Sequence, residues 1–203
     1  MAEKFLDKTY KTSGAEAIRD LYDDWADSYE QEVGENGYAM PARLARALRK
    51  ALPDTDTPIL DYGCGTGLSG IAFTEAGFTT IDGMDPSEGM LAKCREKNLY
   101  RELILLDLGA PLPIAQAQYA AIMAVGVIST GAGPASLMDE LIGLLPRGGF
   151  FGLSLNDHAL ADPDYPAGIQ RLKDAGHICH AEEHGTHLPG IGLKSTIYLF
   201  EKK

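Results

Sequence analysis

Cysteine is scarce, with three in 203 residues: Cys64, Cys94 and Cys179 are odd in number, scattered and without a CxxC spacing. That excludes a disulfide framework and a cysteine zinc site, and it predicts a reducing, cytoplasmic setting. Long apolar runs are missing as well. No stretch approaches the roughly 18 residues of a membrane span, and the first fourteen lack the apolar centre of a secretory signal, so neither insertion nor secretion is expected. Positive charge is in deficit, 18 Lys and Arg against 29 Asp and Glu for a net charge of −11. An acidic surface repels phosphate backbones and anionic lipid, so the expected partner is a small-molecule acceptor, with no nucleic acid and no membrane. Repeats and low-complexity segments are absent.

The apolar spacing supplies the organisation. Residues 15–33 place Ile18, Leu21, Tyr22, Trp25, Tyr29 and Val33 three and four apart among acidic residues, which predicts an amphipathic helix with an aromatic stripe. A second helix starts near Pro41, repeats Leu44, Leu48 and Leu52, and ends at Pro53. From residue 57 short apolar runs alternate with helical segments, the pattern of βαβ units and a parallel sheet. Strands are predicted over 57–62, 79–84, 102–106, 119–124 and 148–155, and helices over 66–76, 87–97, 134–145 and 165–175. The last residues, with a Pro-Gly turn, predict a closing hairpin. The length suits one core, and the expected organisation is a single domain: a helical lid over 1–53 and an α/β core over 54–203.

The chemistry concentrates in Leu60–Gly70, LDYGCGTGLSG. Gly63, Gly65 and Gly67 spell GxGxG behind Asp61, and Gly65, Gly67 and Gly70 also satisfy the GxGxxG of a dinucleotide turn. A strand, a glycine turn and a helix together present backbone N–H groups and a positive helix end to a ligand. Asp61 stands at the end of the first strand, where a nicotinamide-binding turn keeps an apolar residue. Asp85 ends the second strand, 18 residues beyond Gly67, at the distance where a carboxylate accepts ribose hydroxyls. Asp107 ends the third. Three strand-end carboxylates converging on one rim point to an adenosine-bearing ligand.

With these residues in order, the sequence resembles the class I S-adenosylmethionine-dependent methyltransferases: Asp61 to Gly67 matches their first motif, Gly83 to Ser87 with Gly89-Met90-Leu91 the second, Leu106-Asp107-Leu108 the third, and Leu145 to Gly149 the turn before the fifth strand. Within that superfamily, Tyr22 to Ala26 with Tyr29-Glu30, Leu99-Tyr100 and Leu108 to Pro113 look like the methyltransferase-like group named after the Williams-Beuren syndrome region. The resemblance implies a Rossmann-like seven-stranded sheet, order 3-2-1-4-5-7-6 with the last strand antiparallel, and S-adenosyl-L-methionine as cofactor. It implies that Gly63 and Gly65, with Cys64 between them, lie against the methionyl part, that Asp61 holds its amino group and that Asp85 takes the ribose. Pro86 and Met90 would flank the adenine, Asp107 and the Leu108 backbone would read its edge, and Ala124 to Val127, including Val125, would pass beneath the sulfonium. Ala120 departs from the pattern, standing where relatives often carry Asp.

On the acceptor side, Tyr22 and Tyr29 are expected near the cofactor carboxylate, and Trp25 in the core. His158, following the fifth strand, is the candidate general base, with Tyr29 as the second catalytic candidate. His177, His180, His184 and His187 are spaced three, four and three, which fits no HExxH helix and would split them between the faces of a hairpin, so no metal site is expected. The leading function is methyl transfer to O, N or S. The alternatives are a nicotinamide-dependent oxidoreductase, opposed by Asp61 and by the lack of a Tyr-x-x-x-Lys pair, and a catalytically silent module or partner subunit that retains the pocket.

Overall fold

Four consecutive buried residues, Ile59–Tyr62, form β1. A strand buried on both faces has no polar side to alternate with, and such a run belongs in the middle of a covered sheet. In the computed structural model, which describes residues 8, 12, 14–108 and 110–203, β1 pairs in parallel with β2 (Ile81–Asp85) and β4 (Ala121–Ala124). Outside these lie β3 (Glu102–Leu105) and β5 (Phe150–Asn156), then the hairpin of β6 (Ile178–Leu188) and β7 (Leu193–Glu201). The order is β3-β2-β1-β4-β5-β7-β6, and β7 runs antiparallel to both neighbours. Most of the N-terminal leader, residues 1–7, 9–11 and 13, lies outside the described residues, as does Gly109.

The strand pleat divides the core into two layers. Ile59, Ala121, Met123 and Phe150 face α3 (Met40–Ala51) and α4 (Leu68–Glu75) through Leu44, Leu48 and Phe73. Their neighbours Leu60, Ile122 and Phe151 face the opposite way, onto α6 (Leu137–Leu144) and α8 (Asp164–Asp174) through Met138, Leu141 and Ile169. α5 (Glu88–Arg95) follows β2, and a short α7 (Asp157–Ala161) follows β5. Placing α3 in the core narrows the expected lid, because Leu44 and Leu48 are fully buried against the sheet.

The helix predicted over 15–33 is two helices, α1 (Ala15–Trp25) and α2 (Tyr29–Glu35). Between them Ala26 N donates to Asp23 O and Ser28 N to Trp25 O, tightening the chain into three-residue turns. The Ser28 hydroxyl then bonds Glu32, the kind of local side-chain bond that competes with helix continuation.

Phe151 is fully buried between β4 and the α6 and α8 layer. Phe151→Ala is expected to lower stability by about 3–5 kcal/mol, the transfer and cavity cost of a large core side chain. Urea unfolding checks this, and a loss below about 1 kcal/mol would contradict the packing.

Candidate active site

At the carboxyl end of β1 the chain turns through Gly63, Gly65 and Gly67 at φ of 72°, 54° and 95°. These left-handed conformations strain any side chain. The N–H groups of Gly63 and Cys64 both donate to Met84 O, at 2.7 and 3.1 Å, fastening the turn to β2. The Cys64 thiol packs inward with Leu91 and Cys94, so the turn offers its ligand the Cys64 backbone and not its sulfur. In the same turn the buried Thr66 hydroxyl lacks a partner.

Asp61 is fully buried just before the turn. Its Oδ2 accepts from the Ser69 hydroxyl and the Tyr100 hydroxyl, each at 2.6 Å. Its Oδ1 is buried without a partner. Burial pushes the carboxyl up to about 6, the two hydroxyl bonds pull it back, and the nearby Asp85 charge adds to the rise. Gly70 is part of this arrangement for reasons of space, since a Cβ there would overlap the Tyr100 hydroxyl. Ser69 and Tyr100 are site residues that motif reading missed, because their role is to orient Asp61 and only the folded chain brings them to it.

Asp85 closes β2 with one N–H on each oxygen, Gly65 N on Oδ2 and Ser87 N on Oδ1, both at 2.9 Å. Burial, opposed by those two bonds, raises it to about 6. A carboxylate has about four lone-pair sites, so two are left for a ligand. Met90 is buried beneath α1, Pro86 is half-buried, and Asp107 and Leu108 are exposed at the rim after β3.

The N-terminal helices α1 and α2 are fastened to the second motif and the helix after it. Asp23 accepts from the Ser87 hydroxyl and from Gly89 N, while Lys97 reaches Glu30 at 2.6 Å and Lys93 reaches Asp27 at 2.9 Å. Trp25 packs on Met90, with Tyr29 edge-on at 4.8 Å and Tyr22 tilted at 5.7 Å. Burial raises the Tyr29 and Tyr38 hydroxyls above the usual phenol range, with the Asp85 charge adding at Tyr29 and the Asp61 charge at Tyr38.

Tyr22, Trp25, Tyr29 and Tyr38 wall a small cavity that opens to solvent, whose other side is the loop at Gly126 and Ser129, Asn156, and His187 with Leu188 from the hairpin. Val125 is buried in the core layer next to Gly126, whose N–H is held by the Ser154 hydroxyl at 2.9 Å. His158 lies exposed on α7 and is not among the lining residues, whereas His187 is. The other hairpin histidines disperse: His180 meets Glu201, His184 meets Thr196, and His177 accepts from Lys203 N.

Residues 59–149 match the family described as a methyltransferase domain. Human methyltransferase-like protein 27 is 37% identical over 131 residues, which cover 63% of this chain and 54% of that protein. The 18S rRNA (guanine(1575)-N(7))-methyltransferase of Saccharomyces cerevisiae is 37% identical over 70 residues, covering 34% of this chain and 26% of that one. The chain therefore spans about half the length of the human relative and less of the yeast one. Among solved structures the cyclase SpnF superposes with a TM-score of 0.70 at 16% identity, covering 94% of this chain and 97% of SpnF, a likeness of fold. The kinship with a ribosomal RNA methyltransferase overturns the expectation of a small-molecule acceptor and no nucleic acid. That expectation rested on a charge summed over the chain, which does not describe the field at one rim.

The raised carboxyls carry a stability prediction. Folding lifts Asp61 from 3.8 to about 6, so the folded chain holds that proton more tightly than the unfolded one. Its contribution is full below the ordinary carboxylate value and is lost as pH rises from 3.8 to about 6. His187, lowered by burial to about 4, acts with the opposite sign, so the informative quantity is the difference between Asp61→Asn and the wild type. Relative to the wild type, the urea midpoint of Asp61→Asn should climb as pH rises through that window, and a constant difference would contradict the assignment.

Proposed function

We propose, for a chain that carries a class I S-adenosylmethionine-dependent methyltransferase domain, that it transfers the cofactor's methyl group to an acceptor held in the aromatic-walled cavity. The observation that carries this reading is the unpartnered Oδ1 of Asp61, buried beside a left-handed glycine turn. A carboxylate oxygen removed from water without a donor is costly, and an ammonium offers it charge and hydrogen together. The cofactor has such a group on its methionyl end.

Asp61 would take that ammonium and Asp85 the ribose hydroxyls through its remaining lone pairs. Pro86 and Met90 would flank the adenine, with Asp107 and the Leu108 backbone at its edge, and Gly63, the Cys64 backbone and Gly65 would lie along the methionyl chain. When bound, the cofactor supplies an electrophilic methyl on a sulfonium. The chain's own part is to exclude water and hold the acceptor lone pair in line, because displacement depends mainly on that placement. The faces of Tyr22 and Tyr29 suit a cation as well as an apolar acceptor.

Residues 14–39, pinned through Asp23, act in this reading as the lid. The single-domain organisation, the kinship with the Williams-Beuren group suggested by Tyr22 to Ala26, and the cytoplasmic setting are inferences of the same standing. The acceptor itself is left open. The nicotinamide alternative is disfavoured because a pyrophosphate near Asp61 would meet a second anion.

Calorimetry with S-adenosylhomocysteine and with NADH tests the reading. The chain is expected to bind the first, with Asp85→Ala weakening that binding by about 1.5–3 kcal/mol, the loss of charge-assisted bonds to ribose. Binding of NADH alone would overturn it.

A further inference from the structure

The acceptor cavity is rich in hydroxyls and poor in groups that exchange a proton near neutrality. Tyr29 and Tyr38 are held above the phenol range by burial. Ser129 and Thr130 are alcohols, and Asn156 Oδ1 is committed to Ala159 N at 2.9 Å as the cap of α7. Among the described residues lining the cavity, His187 alone carries an ordinary pKa below that of a phenol.

Its placement is unusual for a strand histidine. The ring is 7% exposed and its Nδ1 has no hydrogen-bond partner. The β6–β7 register shifts between Thr186 and Leu188, so His187 is the bulged residue, and a bulge releases a side chain from the strict alternation of the strand. The backbone holds that bulge against the lid, with Ala39 N donating to His187 O at 3.0 Å, and the Tyr38 ring stands 5.6 Å from the imidazole at 49°. Burial, followed by the Arg43 charge, lowers the imidazole to about 4, so it is neutral at physiological pH and one ring nitrogen keeps its lone pair. Buried polar atoms are nearly always satisfied. His187 lines the cavity, and its buried Nδ1, left without a partner, has a hydrogen-bonding ligand as its natural complement.

Resting on the methyl-transfer reading above, we propose that His187 is the acceptor-binding residue of the cavity: it accepts a hydrogen bond from the O–H or N–H of a planar ring stacked among Tyr22, Trp25, Tyr29 and Tyr38. The bond orients the reacting edge, and the aromatic walls supply offset and edge contacts that favour a flat ligand. That chemistry is shared by a free phenolic compound and by a purine base with a ring N–H.

Two probe pairs separate those sources: phenol against anisole, and guanosine against 1-methylguanosine, each titrated into protein saturated with S-adenosylhomocysteine. In one pair the protic member should bind about three- to tenfold tighter, the worth of one neutral hydrogen bond, and the pair that shows the preference identifies the source. His187→Phe, which keeps a ring of similar shape, should abolish the preference while leaving S-adenosylhomocysteine affinity unchanged. In the wild type labelled with 15N-histidine, the His187 Nδ1 resonance should move with that protic probe and not with its methylated counterpart, which tests the contact without any variant. Equal binding within both pairs, a preference that survives in His187→Phe, or an unmoved Nδ1 resonance would overturn the inference alone. A wild type that does not bind S-adenosylhomocysteine would overturn the methyl-transfer reading and this inference with it.

Discussion

Burying Asp61 obliges the chain to stabilise a carboxylate away from water, and the surroundings of the site follow from how far it does so. One oxygen receives two hydroxyls and the other receives nothing. The two donors come from different places, Ser69 from the first turn of α4 and Tyr100 from the approach to β3, so the carboxylate ties the first motif to the second βα unit. Tyr100 fits there because Gly70 leaves it room. A glycine usually read as part of a phosphate loop is therefore required by a tyrosine ring. The arrangement raises the carboxyl to about 6. In effect the fold keeps a site that is more comfortable with a cation present.

The second dependence runs through the N-terminal helices α1 and α2. Asp23 holds the N–H of Gly89 and the hydroxyl of Ser87, the residue that also caps α5, so α1 and the start of α5 share one anchor. From that anchor the aromatic stripe reaches across the sheet edge to the hairpin, where Ala39 bonds His187. The cavity is thus lined by elements far apart in sequence, and the tyrosine hydroxyls on its wall respond electrostatically to Asp85 and Asp61.

Periodicity made the parallel strands and the closing hairpin legible, because a covered sheet leaves runs of apolar residues that nothing else explains, while their order was implied by the resemblance to the class I methyltransferases. The strand-end carboxylates Asp61 and Asp85 were equally legible, since the glycine spacing marks where β1 ends. Three features were not. The break between Trp25 and Tyr29 depends on local bonds at Ser28 that do not disturb the apolar spacing. The partners of Asp61 are set by tertiary placement. His187 stands on a bulge, which strand alternation could not foresee, and it joins the residues that line the cavity. Summed charge misled for a related reason: it averages over a surface on which only one rim concerns the acceptor.

The central claim is that Asp61 waits for a cation on its free oxygen. The most direct measurement is the titration of the Asp61 side-chain carboxyl by 13C NMR, with and without S-adenosylhomocysteine, whose ammonium would pair with Oδ1. The account predicts a midpoint near 6 in the unliganded chain, falling by more than about one unit when the ligand binds, as an opposite charge within hydrogen-bond reach requires. A midpoint that does not move, in a chain shown to bind the ligand, would contradict it.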